Sequence, residues 1–339
     1  MPIHTHDNRG SRGNANLWTE ILDKMRMAVS GAITSPLTDV LGEIPEVGSR
    51  PLHIIAHHTL TSLPVNVSLT GDGGDPLIEH FEISYSPSLL TSKRCLFTEL
   101  DPLTSLAAIY VEPDVSDEHA LHFAPIEVEV ACRWVESSRE ICIGQQVPSE
   151  TEIIERIDGA RIWHFSAHGK FNADDPKKSR IDLGETQVSL GALFDRQALS
   201  PPDFVILSAC DTALVSTNEL PHELLSLPTA FLQLGARGVV ATQWPVSDFA
   251  TTFLMCELYE RFLGEQVPLS NALRRAQFWL RDMTPDQAKR IVEKWETAGR
   301  MTSESAAKLV GDTRITNAPA DEKIFKHPMY WGAFTYFGV

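Results

Sequence analysis

The chain has 339 residues, 43% of them hydrophobic and 22% charged, enough apolar material for one large or two modest packed domains. Its formal net charge of −16 repels a phosphate backbone, which sets nucleic-acid binding aside; spread along the chain, it reads first as an ordinary soluble surface and also fits a groove for basic peptide. The five cysteines are odd in number and no pair has CxxC spacing, which excludes a disulfide framework and a zinc ribbon and points to a reducing, cytoplasmic setting.

In chain order, residues 1–16 are polar and lack the apolar core of a signal peptide, so they read as a disordered leader. Nowhere do about eighteen apolar residues run together, so no membrane span is expected. Leu17, Ile21, Met25, Ala28 and Val29 fall near helical spacing and predict a helix over 17–33. PLHIIAHHTLTSLPVNVSL (51–69) holds two short apolar runs, and GDGGD (71–75) is a turn cluster. LTSLAAIYVEPD (103–114) predicts a buried strand, 126–136 a helix-like run and 140–144 a short strand. Ser149 or Thr151, with Glu152 close behind, opens a helix over 149–159.

The most regular stretch follows. RIWHFSA (161–167), FVILSA (204–209) and GVVAT (238–242) are short apolar runs of the kind buried in a parallel sheet, and a charged loop (170–180) follows the first. Residues 223–235 carry a helical stripe closed by a glycine. Asp248 is placed to cap a helix over 249–263, Ser270 one over 271–283, and Thr284-Pro285 starts another. YWGAFTYFG (330–338) reads as a last strand. Strands alternating with helices indicate a parallel α/β sheet.

In such a sheet, sites form beyond the carboxyl ends of the strands. One strand runs into His168-Gly169 and the next into Cys210-Asp211. If the two are parallel neighbours, an imidazole and a thiol emerge on one edge. An imidazole raises the thiolate fraction or shuttles its proton, and the thiolate attacks an acyl carbon. Gly169, without a side chain, lets its N–H approach the substrate. With the N–H of Cys210 it would form an oxyanion hole, each donor worth roughly 3–4 kcal/mol.

WHFSAHG (163–169), LSACDT (207–212), AFLQLGARGVVATQWPVSD (230–248) and HPMYWGAF (327–334) together resemble the CHAT family of caspase-like domains. PLHIIAHHTLTSLP (51–64) and ISYSPSLL (83–90) resemble the family's amino-terminal half. The resemblance implies a caspase-like parallel sheet sandwiched by helices. It also implies a division into a leader (1–16), an amino-terminal pseudo-caspase-like half (17–124) and a catalytic half (125–339). It puts the catalytic histidine at His168, its neighbouring glycine at Gly169 and the nucleophile at Cys210. The implied substrate is a protein or peptide, in some relatives one of bacterial defence. The implied activator is an attached sensor such as TPR repeats; with no room for such an array here, the sensor is expected as a separate or truncated subunit. Two departures stand out: that missing array, and ALVSTNELPHE (213–223) where the family has a glycine-rich stretch.

Other residues carry two readings each. Trp244 either walls the substrate groove or packs. Asp211 and Asp248 either meet a basic substrate side chain or serve as cap and turn residues. Glu223 either ties down the loop after Cys210 or begins a helix. His164 reads as a satisfied core histidine, and Cys95, Cys132, Cys142 and Cys256 as buried or inert thiols. His53, His57, His58 and His327 form no metal-ligand pattern, there is no HExxH, and no metal or cofactor is expected. No GxSxG and no carboxylate pair support other hydrolases. A cysteine endopeptidase is the leading function. A silent caspase-like scaffold and a cysteine hydrolase of small amides or esters are the alternatives.

Overall fold

The computed structural model describes residues 9–42, 51–55, 63–71, 74–97, 103–114, 117, 120–170, 172, 175–196, 198–208 and 227–339. It divides into two compact units, Met1–Arg50 with Leu63–Phe81, and Pro51–Ser62 with Glu82–Val339.

In the smaller unit, a helix over Arg9–Val29 passes through a π turn, Ser30–Thr34, into a helix over Ser35–Gly42. The helix starts well before the expected Leu17, because the polar stretch ahead of it has no apolar stripe to announce it. Part of the expected leader is therefore helical, and residues 1–8 lie outside the described residues. Arg26 Nε donates to the Val67 carbonyl at 2.7 Å and Ser30 Oγ to the Leu69 carbonyl at 2.7 Å, which holds the 63–81 segment of this unit to its helices.

The larger unit is built on an eight-stranded sheet. Its strands are β1 (Leu52–Ile54), β2 (Ile83–Tyr85), β3 (Ser105–Val111), β4 (Ser137–Ile143), β5 (Ile162–Ser166), β9 (Phe204–Leu207), β10 (Gly238–Thr242) and β11 (Phe334–Gly338). They lie in the order β1-β2-β11-β10-β9-β5-β3-β4. β4, β3, β5, β9 and β10 are parallel. β11 is antiparallel to β10 and parallel to β2, which is parallel to β1. A separate three-stranded antiparallel sheet holds β6 (Gly169–Lys170), β7 (Arg180–Leu183) and β8 (Thr186–Ser189). The stretch expected as a loop over 170–180 is thus pinned at both ends by strand pairing.

Alternation along the strands sends side chains to two faces, both covered. On one face Trp163, Phe165, Val205, Leu207 and Val239 join a continuous apolar core. The helices Glu150–Ile157 and Leu227–Leu234 close it: Trp163 Nε1 donates to the Ile157 carbonyl at 2.8 Å, and Phe165 stacks on Phe231 with centroids 6.0 Å apart. On the other face Phe204 meets Phe262 edge-on at 5.2 Å, and the helices Ala124–Cys132 and Asp248–Tyr259 lie over His164. This helix–sheet–helix sandwich is a caspase-like α/β fold. Its sheet takes strands from both expected halves, and β3, from the amino-terminal one, lies inside it between β5 and β4.

The local signals fare unevenly. Of the two candidates Ser149 and Thr151, Ser149 caps the helix, in a reciprocal box with Glu152; Thr284 starts its helix as expected and forms a second such box with Gln287. The cap before Asp248 is Ser247, whose hydroxyl accepts from the Ala250 N–H, and the α-helix ends at Tyr259 in a π turn over Glu260–Gly264. The next helix begins at Leu269, and Ser270 Oγ donates to Glu82 at 2.5 Å rather than capping. Pro328–Trp331 is a helical turn, so the last strand is shorter than 330–338.

Gly238 at the start of β10 has no space for a side chain. A Cβ there would meet Cε2 and Cζ of the buried Tyr336 ring at 2.6 and 2.7 Å. Gly238→Ala is expected to cost about 1–3 kcal/mol, read as a lower urea midpoint at unchanged slope. An unchanged midpoint would show that the ring swings clear.

Candidate active site

β5 and β9 are direct parallel neighbours, with Ile162 beside Phe204 and Phe165 beside Leu207. The condition on which the His/Cys pairing depended is met for the strands themselves. Past the carboxyl end of β5, the chain passes Ala167 and reaches His168, which is half-buried. Backbone bonds fix it there. The Asp182 N–H donates to the His168 carbonyl at 2.6 Å, Gly169 pairs with Ile181, and Lys170 Nζ meets Asp182 Oδ2 at 2.5 Å. The three-stranded sheet thus holds the His-Gly turn in place by main-chain contacts.

On the neighbouring strand, the Ser208 N–H donates to the Phe165 carbonyl at 3.1 Å. Cys210 and Asp211, and the segment through Glu223, lie outside the described residues.

Trp244, just past β10, is 8% exposed, and its Nε1–H donates to the Met329 carbonyl at 3.2 Å. The neighbouring Gln243 N–H donates to the Ala333 carbonyl at 2.9 Å. Together they tie the end of β10 to the HPMYWGAF segment, and Trp244 packs there.

Asp248 lies in the first turn of its helix, and Oδ2 accepts from the Phe123 N–H at 2.7 Å. Its carboxylate anchors the start of the helix Ala124–Cys132, which takes up the group expected to meet substrate. Burial pushes its pKa up to about 7; Glu127 adds to the rise, while the Phe123 N–H, Arg314 and Lys308 oppose it. A carboxyl raised from 3.8 makes folding stability fall as pH rises from about 4 to about 7. Asp248→Asn removes that slope, and its amide oxygen still accepts from Phe123. The melting temperature of the parent relative to this variant should therefore rise by about 2 °C or more between pH 8 and pH 5. A constant difference would contradict a raised carboxyl.

His164 is a core histidine with every ring nitrogen engaged. Nε2 lies 2.5 Å from Glu127 Oε1 and 3.0 Å from Ser208 Oγ, and Nδ1 lies 2.8 Å from Tyr259 Oη. Burial, reinforced by Glu127, holds the Tyr259 phenol well above its usual pKa, so it remains a neutral O–H donor. Sequence reasoning passed over Glu127. Its signal was present: a charged residue inside the apolar helical run IEVEVAC.

Of the other thiols, Cys95 and Cys256 are buried, and Cys132 and Cys142 are half-buried and free. Burial raises all four pKa values, Cys132 to about 12 with Glu140 adding to it, and Cys256 well above the ordinary thiol. Each is a poor nucleophile near neutral pH. Among the described residues no group of three or more His, Cys, Asp or Glu could hold a metal ion, and no helix is long and apolar enough to cross a membrane. His327 Nδ1 accepts from the Met329 N–H and caps a helical turn; His57 and His58 lie outside the described residues.

The family model described as the CHAT domain matches residues 28–339. Among solved structures the chain is similar to separase in a separase–securin complex of Saccharomyces cerevisiae, with a TM-score of 0.51 and 10% identity over 85% of this chain and 15% of that one. It is also similar to gingipain R, an Arg-specific cysteine proteinase, with a TM-score of 0.43 and 12% identity over 80% of this chain and 56% of that one. The pro- and mature domains of RgpB from Porphyromonas gingivalis match with a TM-score of 0.44 and 12% identity over 76% of this chain and 55% of that one. At such identities the separase likeness concerns the fold, and the chain spans about 15% of the separase chain. No curated protein matches the sequence.

Proposed function

We propose that this chain, which belongs to the CHAT-domain family of caspase-like cysteine peptidases, is a cysteine endopeptidase with Cys210 as nucleophile and His168 as its acid–base partner. The observation that supports this most is the pairing of β5 with β9, which leads one strand to His168 and the other, two residues past Ser208, to Cys210. The raised pKa values of the other four thiols support the choice of Cys210.

His168 takes the thiol proton, and the thiolate attacks the carbonyl carbon of the scissile peptide bond. The N–H groups of Gly169 and Cys210 receive the developing oxyanion. The imidazolium then protonates the departing amine as the C–N bond breaks, leaving an acyl-enzyme. Water, deprotonated by His168, hydrolyses the thioester and returns the free thiol. Asp211 is the acidic group beside the nucleophile that would meet a basic side chain of the substrate. A separate sensor or activator subunit in the cytoplasm switches the enzyme on.

The test is to incubate the protein with a pool of cellular proteins, with and without extract from a native source, and to identify new amino termini. Termini produced by the parent and absent with Cys210→Ala support the peptidase. A folded protein that yields none in either condition favours the scaffold reading.

A further inference from the structure

We propose that Glu127, His164 and Tyr259 form a buried positioning device that acts through Ser208 to set the end of β9, and with it residue 210, against His168. This inference rests on the dyad reading above.

The network is costly where it stands. Glu127 is 1% exposed, and His164, Tyr259 and Ser208 are 0% exposed. Burying a carboxylate against an imidazole is repaid only by close geometry, and well-packed apolar residues in the same volume are commonly as stable. The surroundings would accept apolar residues: Ala108 and Ile206, which flank His164 on the adjacent strands, are fully buried. Stability alone does not account for a polar cluster at this place.

Its position does. His164 precedes His168 by four residues on β5, and Ser208 precedes Cys210 by two after β9. Alternation places His164 and Ser208 on the same face of the sheet, and the imidazole bridges the two strands. The donors run in one direction. The neutral Tyr259 O–H donates to Nδ1, which leaves the proton on Nε2, shared between Glu127 Oε1 at 2.5 Å and Ser208 Oγ at 3.0 Å. Ser208 then directs its own O–H toward the Phe165 carbonyl at 3.5 Å, beside its backbone bond to the same oxygen.

Three elements therefore meet around the His164 imidazole, which passes their contacts on to Ser208, the last described residue before the nucleophile. The helix Ala124–Cys132 supplies Glu127, the helix Asp248–Tyr259 supplies Tyr259, and β5 supplies His164. A reacting group displaced by 1 Å can lose about a hundredfold in rate, so an end of β9 tied to β5 by both its backbone and its side chain is of direct use to a dyad. Glu127, His164, Tyr259 and Ser208 touch no substrate; they are positioning residues.

The experiment needs no known substrate. The full chain is alkylated with iodoacetamide from about pH 5 to pH 9, and the rate at Cys210 is followed by mass spectrometry. The parent, His168→Ala, Ser208→Ala and Tyr259→Phe are compared, with melting temperatures taken alongside. The inference predicts that Ser208→Ala and Tyr259→Phe lower the Cys210 rate near pH 6 roughly tenfold, toward that of His168→Ala. Near pH 9, where the thiol ionises unaided, their rates should match the parent. Profiles that superpose on the parent would overturn the inference, as would a loss that only tracks a lower melting temperature at every pH. A parent profile identical to that of His168→Ala would instead refute the dyad itself, and the positioning role with it.

Discussion

Alanine in place of His168 is expected to lower peptide-bond cleavage by about a thousandfold or more while leaving the melting temperature within about 2 °C of the parent. The imidazole serves twice in the proposed reaction, first on the thiol and then on the leaving amine. Losing a positioned acid–base group typically costs 10²–10⁴ in rate. The fold should not register the change, because His168 is half-buried and is anchored through its carbonyl, which the Asp182 N–H bonds at 2.6 Å. The comparison is made on the cleavage sites that the parent produces, with the thermal transition of both proteins recorded. Cleavage within tenfold of the parent would remove His168 from the mechanism.

The largest effect on stability is expected at Glu127. Glu127→Ala removes the carboxylate that faces His164 Nε2 at 2.5 Å and leaves the fully buried imidazole without that acceptor. Leaving a buried imidazole N–H without its charged acceptor costs about 3 kcal/mol, the upper end for an unsatisfied buried polar group. By contrast, Lys24 and Glu20 form a pair at 2.6 Å whose side chains are 72% and 62% exposed, and Lys24→Ala should change stability by less than about 1 kcal/mol. Urea denaturation of the two variants decides the matter. Equal midpoints would mean that the Glu127 pair adds nothing to the fold.

Much of the fold was legible because its central strands are short apolar runs: GVVAT matches β10 residue for residue, and FVIL is β9. A strand buried on both faces announces itself by continuous hydrophobicity, and a helix start by its capping residue, as at Ser149 and Thr284. The order of strands was not legible. Nothing in 52–54 says that it pairs with 83–85 at the far edge of the sheet, because register is decided by long-range packing. The small antiparallel sheet β6–β8 was hidden for a related reason: Gly169-Lys170 is too short to show any period.

For the site, the His-Gly turn was found through its place after an apolar run, and the structure adds the main-chain bonds that hold it. Trp244 and Asp248 show the limit of placement by edge alone. Both follow β10 as expected, yet a tryptophan N–H finds the Met329 carbonyl and a carboxylate finds the Phe123 N–H, partners 85 and 125 residues away in the chain. The Glu127–His164 contact, across 37 residues, was equally out of reach of local pattern.

The most direct test of the central claim is to treat the folded protein with a library of peptide acyloxymethyl ketones, with and without candidate activators, and to locate the adducts by mass spectrometry. The account predicts a thioether on Cys210 and on no other cysteine, formed in the parent and lost in His168→Ala. Adducts spread over Cys95, Cys132, Cys142 or Cys256, or an adduct at Cys210 indifferent to His168, would contradict it.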